Sequence, residues 1–188
     1  MNEIIDHFSN YIPVSGKLEK ELKARIIVQT FNKGALIHNA ENICVESHFI
    51  LKGIFRLYFL KNGREISEYF CAEGEWVNSP RSFMFRELDN YYIDALEDSE
   101  VLTLHIRDLM VLFDKFPEME RYSRLSMGTM FYQLIERVHS FQCSDAKEKY
   151  DHFCRVYKHI HSRLPLGMIA AYLGITQETL SRVRARRI

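Results

Sequence analysis

A change of hydrophobic period near residue 106 constrains this chain more than any other feature. From Ile26 to about His105 the apolar residues come in short runs separated by turn-forming residues, and from Ile106 onward they recur at helical spacing. Ile26-Ile27-Val28 leads into a turn at Asn32-Lys33-Gly34, followed by Ala35-Leu36-Ile37. Cys44 to Leu51 reaches a turn at Lys52-Gly53, and Ile54 to Phe59 follows. Asn62-Gly63 supplies the positive-φ residues of a two-residue hairpin turn, which makes Glu65 to Cys71 the return strand. Tyr91 to Leu96 and Val101 to His105 flank the polar turn Glu97-Asp98-Ser99-Glu100. Many short strands joined by Gly and Asn turns predict an antiparallel sandwich or barrel of jelly-roll size.

Beyond that, Ile106 to Phe113 reads as a helix, and Pro117 suits the first turn of a longer one. The longer helix carries Leu125, Gly128, Phe131, Leu134, Val138 and Phe141, spaced 3, 3, 3, 4 and 3, close to a coiled-coil seam. Met119, Tyr122, Met127 and Met130 form a second apolar register, so the helix can pack on its own domain and on a second copy at once. This predicts a homodimer; a helix lying only on its own β-domain is the alternative. The pattern breaks at Gln142-Cys143-Ser144-Asp145, and Asp145 with Glu148 fits a capping box for a helix running to about His159. The expected division is 1–115, 116–142 and 143–188.

The formal net charge of zero argues against a nucleic-acid partner until its distribution is considered. Residues 1–144 carry 16 Lys and Arg against 21 Asp and Glu, whereas residues 145–188 carry 9 against 4. An acidic body with a basic tail is the asymmetry of a chain whose C-terminal part alone meets phosphates. At 47% hydrophobic and 27% charged the chain reads as an ordinary globular protein. No apolar run is long enough to span a membrane, and the N-terminus carries Glu3, Asp6 and His7 where a secretory signal needs an apolar core; the expected location is the cytoplasm. Cys44, Cys71, Cys143 and Cys154 show no short pairing, so free structural thiols are expected.

The segment from Leu164 to Val183 has the spacing of a helix-turn-helix. Small Ala170 lets two helices cross closely, and Gly174, four residues on, can take the left-handed conformation that ends the first helix. Ile169, Leu173, Ile175, Leu180 and Val183 fall where a small three-helix core needs apolar side chains, and Thr176 suits the N-cap of the second helix. On that helix Gln177, Glu178, Ser181, Arg182 and Ala185 share the side opposite Leu180 and Val183. Gln can read adenine, Arg can reach guanine O6 and N7, and Glu can accept from cytosine N4. Arg184, Arg186 and Arg187 lie on the flank and end, where phosphates would run.

With Ile169-Ala170-Ala171-Tyr172-Leu173-Gly174-Ile175-Thr176-Gln177-Glu178-Thr179-Leu180-Ser181-Arg182 in view, the chain resembles the Crp/Fnr family of bacterial transcription regulators, in particular a branch found in Bacteroidetes-type bacteria. The resemblance implies an α+β chain: an N-terminal antiparallel double-stranded β-helix (jelly roll) resembling a cyclic-nucleotide-binding domain, a long dimerisation helix, and a C-terminal winged-helix-like helix-turn-helix. It also implies double-stranded DNA and RNA polymerase as partners, no membrane, and a base-contacting role for Gln177, Glu178 and Arg182, with dimers reading pseudo-palindromic half-sites. Two departures stand out. Cyclic-nucleotide-binding members hold the ribose with the Glu of a Gly-Glu pair and the cyclic phosphate with a downstream Arg. Here Gly74-Glu75 is present, but Asp89-Asn90 stands where the Arg should be. A carboxylate repels a phosphate, so cyclic AMP is not expected to bind and the effector, if any, stays unidentified. Arg81 and Arg86 lie in the intervening loop as candidates for another ligand, and its aromatic residues serve equally well as barrel-end filling. Secondly, Ile188 directly follows the recognition helix, so the family's wing strands are expected to be truncated.

Other sites read more weakly. No cysteine precedes Cys44, which excludes the N-terminal iron–sulfur cluster of oxygen-sensing members. His38, His48 and His105 are the candidates for haem ligation, although a lone His on such a strand is more often structural. No metal site or cofactor is expected. A cupin-like β-barrel enzyme would need a tight His cluster on neighbouring strands, and His38 and His48 are ten residues apart. A sensor acting through protein contacts alone, without binding DNA, would not need the reading face kept at Gln177, Glu178 and Arg182. A non-enzymatic DNA-binding regulator is therefore the expectation.

Overall fold

The computed structural model describes residues 2–143 and 145–185, without the side chain of Cys143. Two helices come first, α1 (Asn2–Ser9) and α2 (Gly16–Arg25), followed by β1 (Ile27–Phe31), β2 (Leu36–His38), β3 (Glu46–Lys52), β4 (Phe55–Lys61), β5 (Arg64–Cys71) and β6 (Trp76–Val77). A short helix α3 (Pro80–Phe85) precedes β7 (Tyr91–Ala95) and β8 (Ser99–His105). The rest is helical: α4 (Ile106–Lys115), α5 (Pro117–Cys143), α6 (Ala146–Val156), α7 (Leu166–Leu173) and α8 (Gln177–Ala185).

The strands form two antiparallel four-stranded sheets, ordered β1-β8-β3-β6 and β2-β7-β4-β5. This is the expected jelly roll. Asn62 and Gly63 both have positive φ at the β4–β5 hairpin, as that turn type requires. Between the sheets Ile50, Phe55, Leu57, Val77, Ile93 and Val101 are buried.

Three things differ from the sequence reading. Residues 2–25, to which no element was assigned, form α1 and α2. Their Ile4, Phe8, Leu18 and Leu22 bury against Phe49 and Leu102 of the β1-β8-β3-β6 sheet and against Leu112 and Met119 of the following helices. The stretch between β6 and β7, read as a loop, contains α3, which opens on Pro80 and ends at Arg86 in the left-handed conformation. Finally, α6 stops at Val156 instead of near His159, and Ile160 and Leu164 turn back into the core shared with α7 and α8.

Helix α5 starts on its own body and then leaves it. Met119 and Tyr122 are buried, and the Tyr122 hydroxyl meets both His7 Nε2 at 2.8 Å and Trp76 Nε1 at 2.9 Å. From Met127 to Val138 both apolar registers are exposed; Phe131 is 63% and Val138 53% accessible. Phe141, assigned to the seam from its spacing, is instead half-buried beside Tyr172, ring centroids 6.3 Å apart.

Gly53 closes the β3–β4 turn with φ +104°, and a Cβ there would fall 2.1 Å from Ser99 Oγ and 3.0 Å from Ser99 Cα. Gly53→Ala combines left-handed strain with a backbone clash and should lower stability by about 2–4 kcal/mol. A urea midpoint that falls with an unchanged slope is the expected result.

Candidate nucleic-acid interface

The last three helices form a helix-turn-helix built as the sequence requires. Asp145 Oδ1 accepts the Glu148 N–H at 2.8 Å and Glu148 Oε2 accepts the Asp145 N–H at 2.9 Å, the complete capping box that starts α6. Helix α7 ends at Gly174, whose φ of +67° lets its N–H turn back to the Ala170 and Ala171 carbonyls. Thr176 Oγ1 accepts the Thr179 N–H at 3.2 Å and so caps α8. Ile169, Ala170, Leu173 and Leu180 are buried among Tyr150, Phe153 and Cys154 of α6, with Ile175 and Val183 packed at the edge.

Burying Leu180 turns the opposite face of α8 outward. Thr176, Gln177, Glu178, Ser181, Arg182 and Arg184 are all exposed. Arg182 Nη2 donates to Thr179 Oγ1 at 3.3 Å, a weak contact that leaves most of the guanidinium free. The Glu178 carboxyl sits below its ordinary pKa, held by its own backbone N–H and the Thr176 hydroxyl, with the Arg182 charge adding to these; it is an acceptor at neutral pH. The outward face thus offers an amide, a carboxylate, a hydroxyl and a guanidinium within two turns of helix. Arg186 and Arg187, assigned to phosphate contact from sequence, lie outside the described residues.

This unit does not hang free of the β-roll. Phe70 of β5 enters a ring cluster with Phe153, Tyr157 and Tyr172, at centroid distances of 6.2, 5.6 and 5.9 Å. Arg163, between α6 and α7, grips Glu73 through both carboxylate oxygens at 2.9 and 3.0 Å, and Glu97 through Nε at 3.0 Å. Arg137 of α5 bonds Glu68 of β5 at 2.8 Å and lies over the Tyr172 ring at 4.3 Å. None of these cross-body contacts was expected from sequence. The basic residues involved are spread over 27 positions, from 137 to 163, with no local pattern to mark them.

The six candidates around an effector, Gly74, Glu75, Arg81, Arg86, Asp89 and Asn90, lie along the stretch from the β5–β6 turn to the head of β7. Gly74 and Glu75 occupy the β5–β6 turn, bonded to Ile50 through Gly74 N–H and Glu75 C=O, and Glu75 Oε2 accepts the Ala72 N–H at 2.9 Å. The pair that precedes α3 is Asn78-Ser79. Asp89 belongs to that second neighbourhood. Its side chain is 2% exposed and accepts from the Ser79 hydroxyl, from Ser82 N–H at 3.2 Å and from Tyr91 N–H at 3.1 Å. An internal carboxylate thus holds the start of α3. Asn90 follows it at the head of β7. Arg81 is exposed and paired with Glu87 at 3.1 Å, and Arg86 curls back to the Phe83 carbonyl.

Of the haem candidates, His48 is buried with Nδ1 2.8 Å from Thr103 Oγ1, and His105 Nδ1 accepts the Arg107 N–H at the start of α4. His38 is buried 3.7 Å from Asp89. Cys44, Cys71 and Cys154 are buried free thiols. Among the described residues no group of three or more His, Cys, Asp or Glu is placed to hold a metal ion, and no helix is long and apolar enough to cross a membrane.

No protein-family model matches the chain, and no curated protein matches it in sequence. Solved structures do match in fold. A CooA variant from Carboxydothermus hydrogenoformans is 18% identical with a TM-score of 0.71, covering 92% of this chain and 80% of that one. A Crp/Fnr-family transcriptional regulator from Eubacterium rectale is 19% identical with a TM-score of 0.71, covering 94% and 87%. FixK2 from Bradyrhizobium japonicum is 17% identical with a TM-score of 0.71, covering 86% and 83%. At these identities the likeness establishes the fold: a jelly roll, a long helix and a helix-turn-helix in the arrangement of Crp/Fnr regulators.

The Glu73 carboxyl is held down to about 2, chiefly by its hydrogen bonds to Arg163. A carboxyl depressed in the folded state contributes stability above its ordinary pKa and loses it as pH falls through the folded value. The grip of the helix-turn-helix on the β-roll should therefore loosen as pH drops from about 5 towards 2, and Glu73→Gln should remove part of that dependence. Hydrogen exchange of α7 and β5 amides across this range is the measurement.

Proposed function

We propose that the chain is a homodimeric, sequence-specific DNA-binding transcription regulator of Crp/Fnr type and catalyses no reaction. The observation that carries this reading is the outward face of α8: Gln177, Glu178, Ser181 and Arg182 exposed on a capped helix whose inner face is locked by Leu180. The fold shared with the Crp/Fnr regulator from Eubacterium rectale supports it, as does the basic balance of residues 145–188. In this reading residues 1–115 are the sensor, 116–142 the dimerisation helix and 143–188 the DNA-binding part. The Bacteroidetes-type branch rests on the Tyr172-Leu173-Gly174-Ile175-Thr176 and Leu180-Ser181-Arg182 segments alone.

Arg182 reads a guanine edge, Glu178 fixes a neighbouring cytosine, and Gln177 and Ser181 complete the reading face. Thr176, Arg184, Arg186 and Arg187 contact the backbone. The α5 seam pairs two copies so that their α8 helices meet successive major grooves. Cyclic AMP is not the effector, because the Asp89 carboxylate occupies the donors at the start of α3 that an anion would need.

On a duplex selected from random sequence, Arg182→Ala should cost about 1–3 kcal/mol per half-site and relax one base position. Arg184→Ala should weaken selected and scrambled duplexes alike and reduce the salt slope by about one phosphate contact. Titrations at two salt concentrations separate the two roles. Equal losses on both duplexes for Arg182→Ala would make it a phosphate contact. A second outcome concerns assembly: Leu134→Glu places a charge in the exposed α5 seam and should weaken the dimer by about 3 kcal/mol. Sedimentation showing the unsubstituted protein to be a monomer at micromolar concentration would remove the dimer from the reading.

A further inference from the structure

About three turns of α5 stand clear of the chain's own body. From Met127 to His139 every residue is exposed except Arg137, whose side chain is 14% accessible. The apolar seam assigned to the dimer, Phe131, Leu134 and Val138, lies in the same stretch. Whatever fixes α5 there therefore also fixes where a second copy stands.

Arg137 joins three bodies at one guanidinium. Its Nη1 donates to Glu68 Oε1 of β5 at 2.8 Å. Its planar face lies over the Tyr172 ring of α7 at 4.3 Å and near that of Phe141 at 5.2 Å. The position of Glu68 is built for this. Leu57 of β4 pairs with Tyr69 and Tyr58 with Ser67, so Glu68 has no partner across the ladder. It is the extra residue of a β-bulge, which breaks the alternation of a strand and re-aims a side chain. Tyr69 stays packed between the sheets while Glu68 turns out to α5. A guanidinium suits the place, with a flat face for the rings and a charged edge for the carboxylate. A lysine ammonium could meet the carboxylate but would not lie flat on the rings.

We infer that Arg137 is a positioning residue that sets the separation of the two reading helices in the dimer, an inference that rests on the dimeric DNA-binding reading above. Helix α8 is fixed to the roll through Leu180, in the core shared with Ile54 and Phe70. The second copy is fixed to the exposed half of α5. Arg137 links these two frames. With the link in place both half-sites are met at one spacing, and the second contact forms at a high effective concentration. Without it α5 can swing about its anchored first turns. Each α8 then keeps its own base contacts, but the pair loses its common spacing.

The test uses the full chain, a duplex selected from random sequence, versions with the centre about two base pairs longer or shorter, and a single half-site. The unsubstituted protein should favour the selected spacing by at least about tenfold. Arg137→Gln should cut that preference to about threefold or less while single half-site affinity stays within about twofold. Glu68→Gln, which removes the pair from the other side, should act in the same direction, and Arg137→Lys should fall between. Sedimentation should show Arg137→Gln as dimeric as the unsubstituted protein. An intact spacing preference, an equal loss on every duplex, or a lost dimer would each overturn the inference. A DNA-free measurement separates it from the reading it rests on. Residual dipolar couplings of amides 127–139 and of the β-strands should fit one alignment frame in the unsubstituted protein and two in Arg137→Gln; one frame in both overturns the inference. An unsubstituted protein that binds no duplex would instead remove the DNA-binding reading, and the couplings would still decide whether Arg137 holds α5.

Discussion

Everything at the C-terminal end depends on how one strand of the β-roll meets the helix-turn-helix. Phe70 leaves β5 to sit among Phe153, Tyr157 and Tyr172, and its backbone N–H reaches the Tyr157 hydroxyl at 3.3 Å. Ile54 and Ala72 join the same cluster, so the small three-helix core is completed by the roll instead of closing on itself. Aromatic burial supplies most of the attraction. The Arg163 grip on Glu73 and Glu97 and the Arg137 bond to Glu68 add direction, fixing which way the helices face.

That junction leaves α8 untouched on its polar side. The docked arrangement does not hide that face, so rigidity is what it contributes: α8 is held by the core it shares with α6, α7 and the roll. Helix α5 plays the complementary part. Its first turns are pinned by Met119 and the His7–Tyr122–Trp76 contacts, and its exposed middle presents Phe131, Leu134 and Val138 together. The same helix therefore packs on the roll at one end and carries an exposed apolar seam further along.

At the start of α3, Asp89 changes what the fold can hold. Where a bound anion could draw on the donors at the start of α3, an internal carboxylate already takes the Ser79 hydroxyl and the Ser82 and Tyr91 N–H groups. The carboxylate is thereby satisfied within the fold.

The sequence by itself determined the elements whose signal is local. The Asn62-Gly63 turn, the Asp145–Glu148 box, Gly174 and the Thr176 cap each act within a few residues, and apolar spacing chose which face of α8 is buried. Helices α1 and α2 are not legible in the sequence, because their short apolar stripes acquire meaning only against Phe49 and Leu102. Phe141 fitted the α5 seam by count, yet Tyr172, thirty-one positions on, claims it. Gly74-Glu75 matched a motif by composition, and the turn between β5 and β6 sets it on Ile50 of another strand. These outcomes belong to the tertiary structure because each depends on which distant surface a side chain meets. Local periodicity fixes the direction in which a residue points, and chain topology alone supplies what stands there.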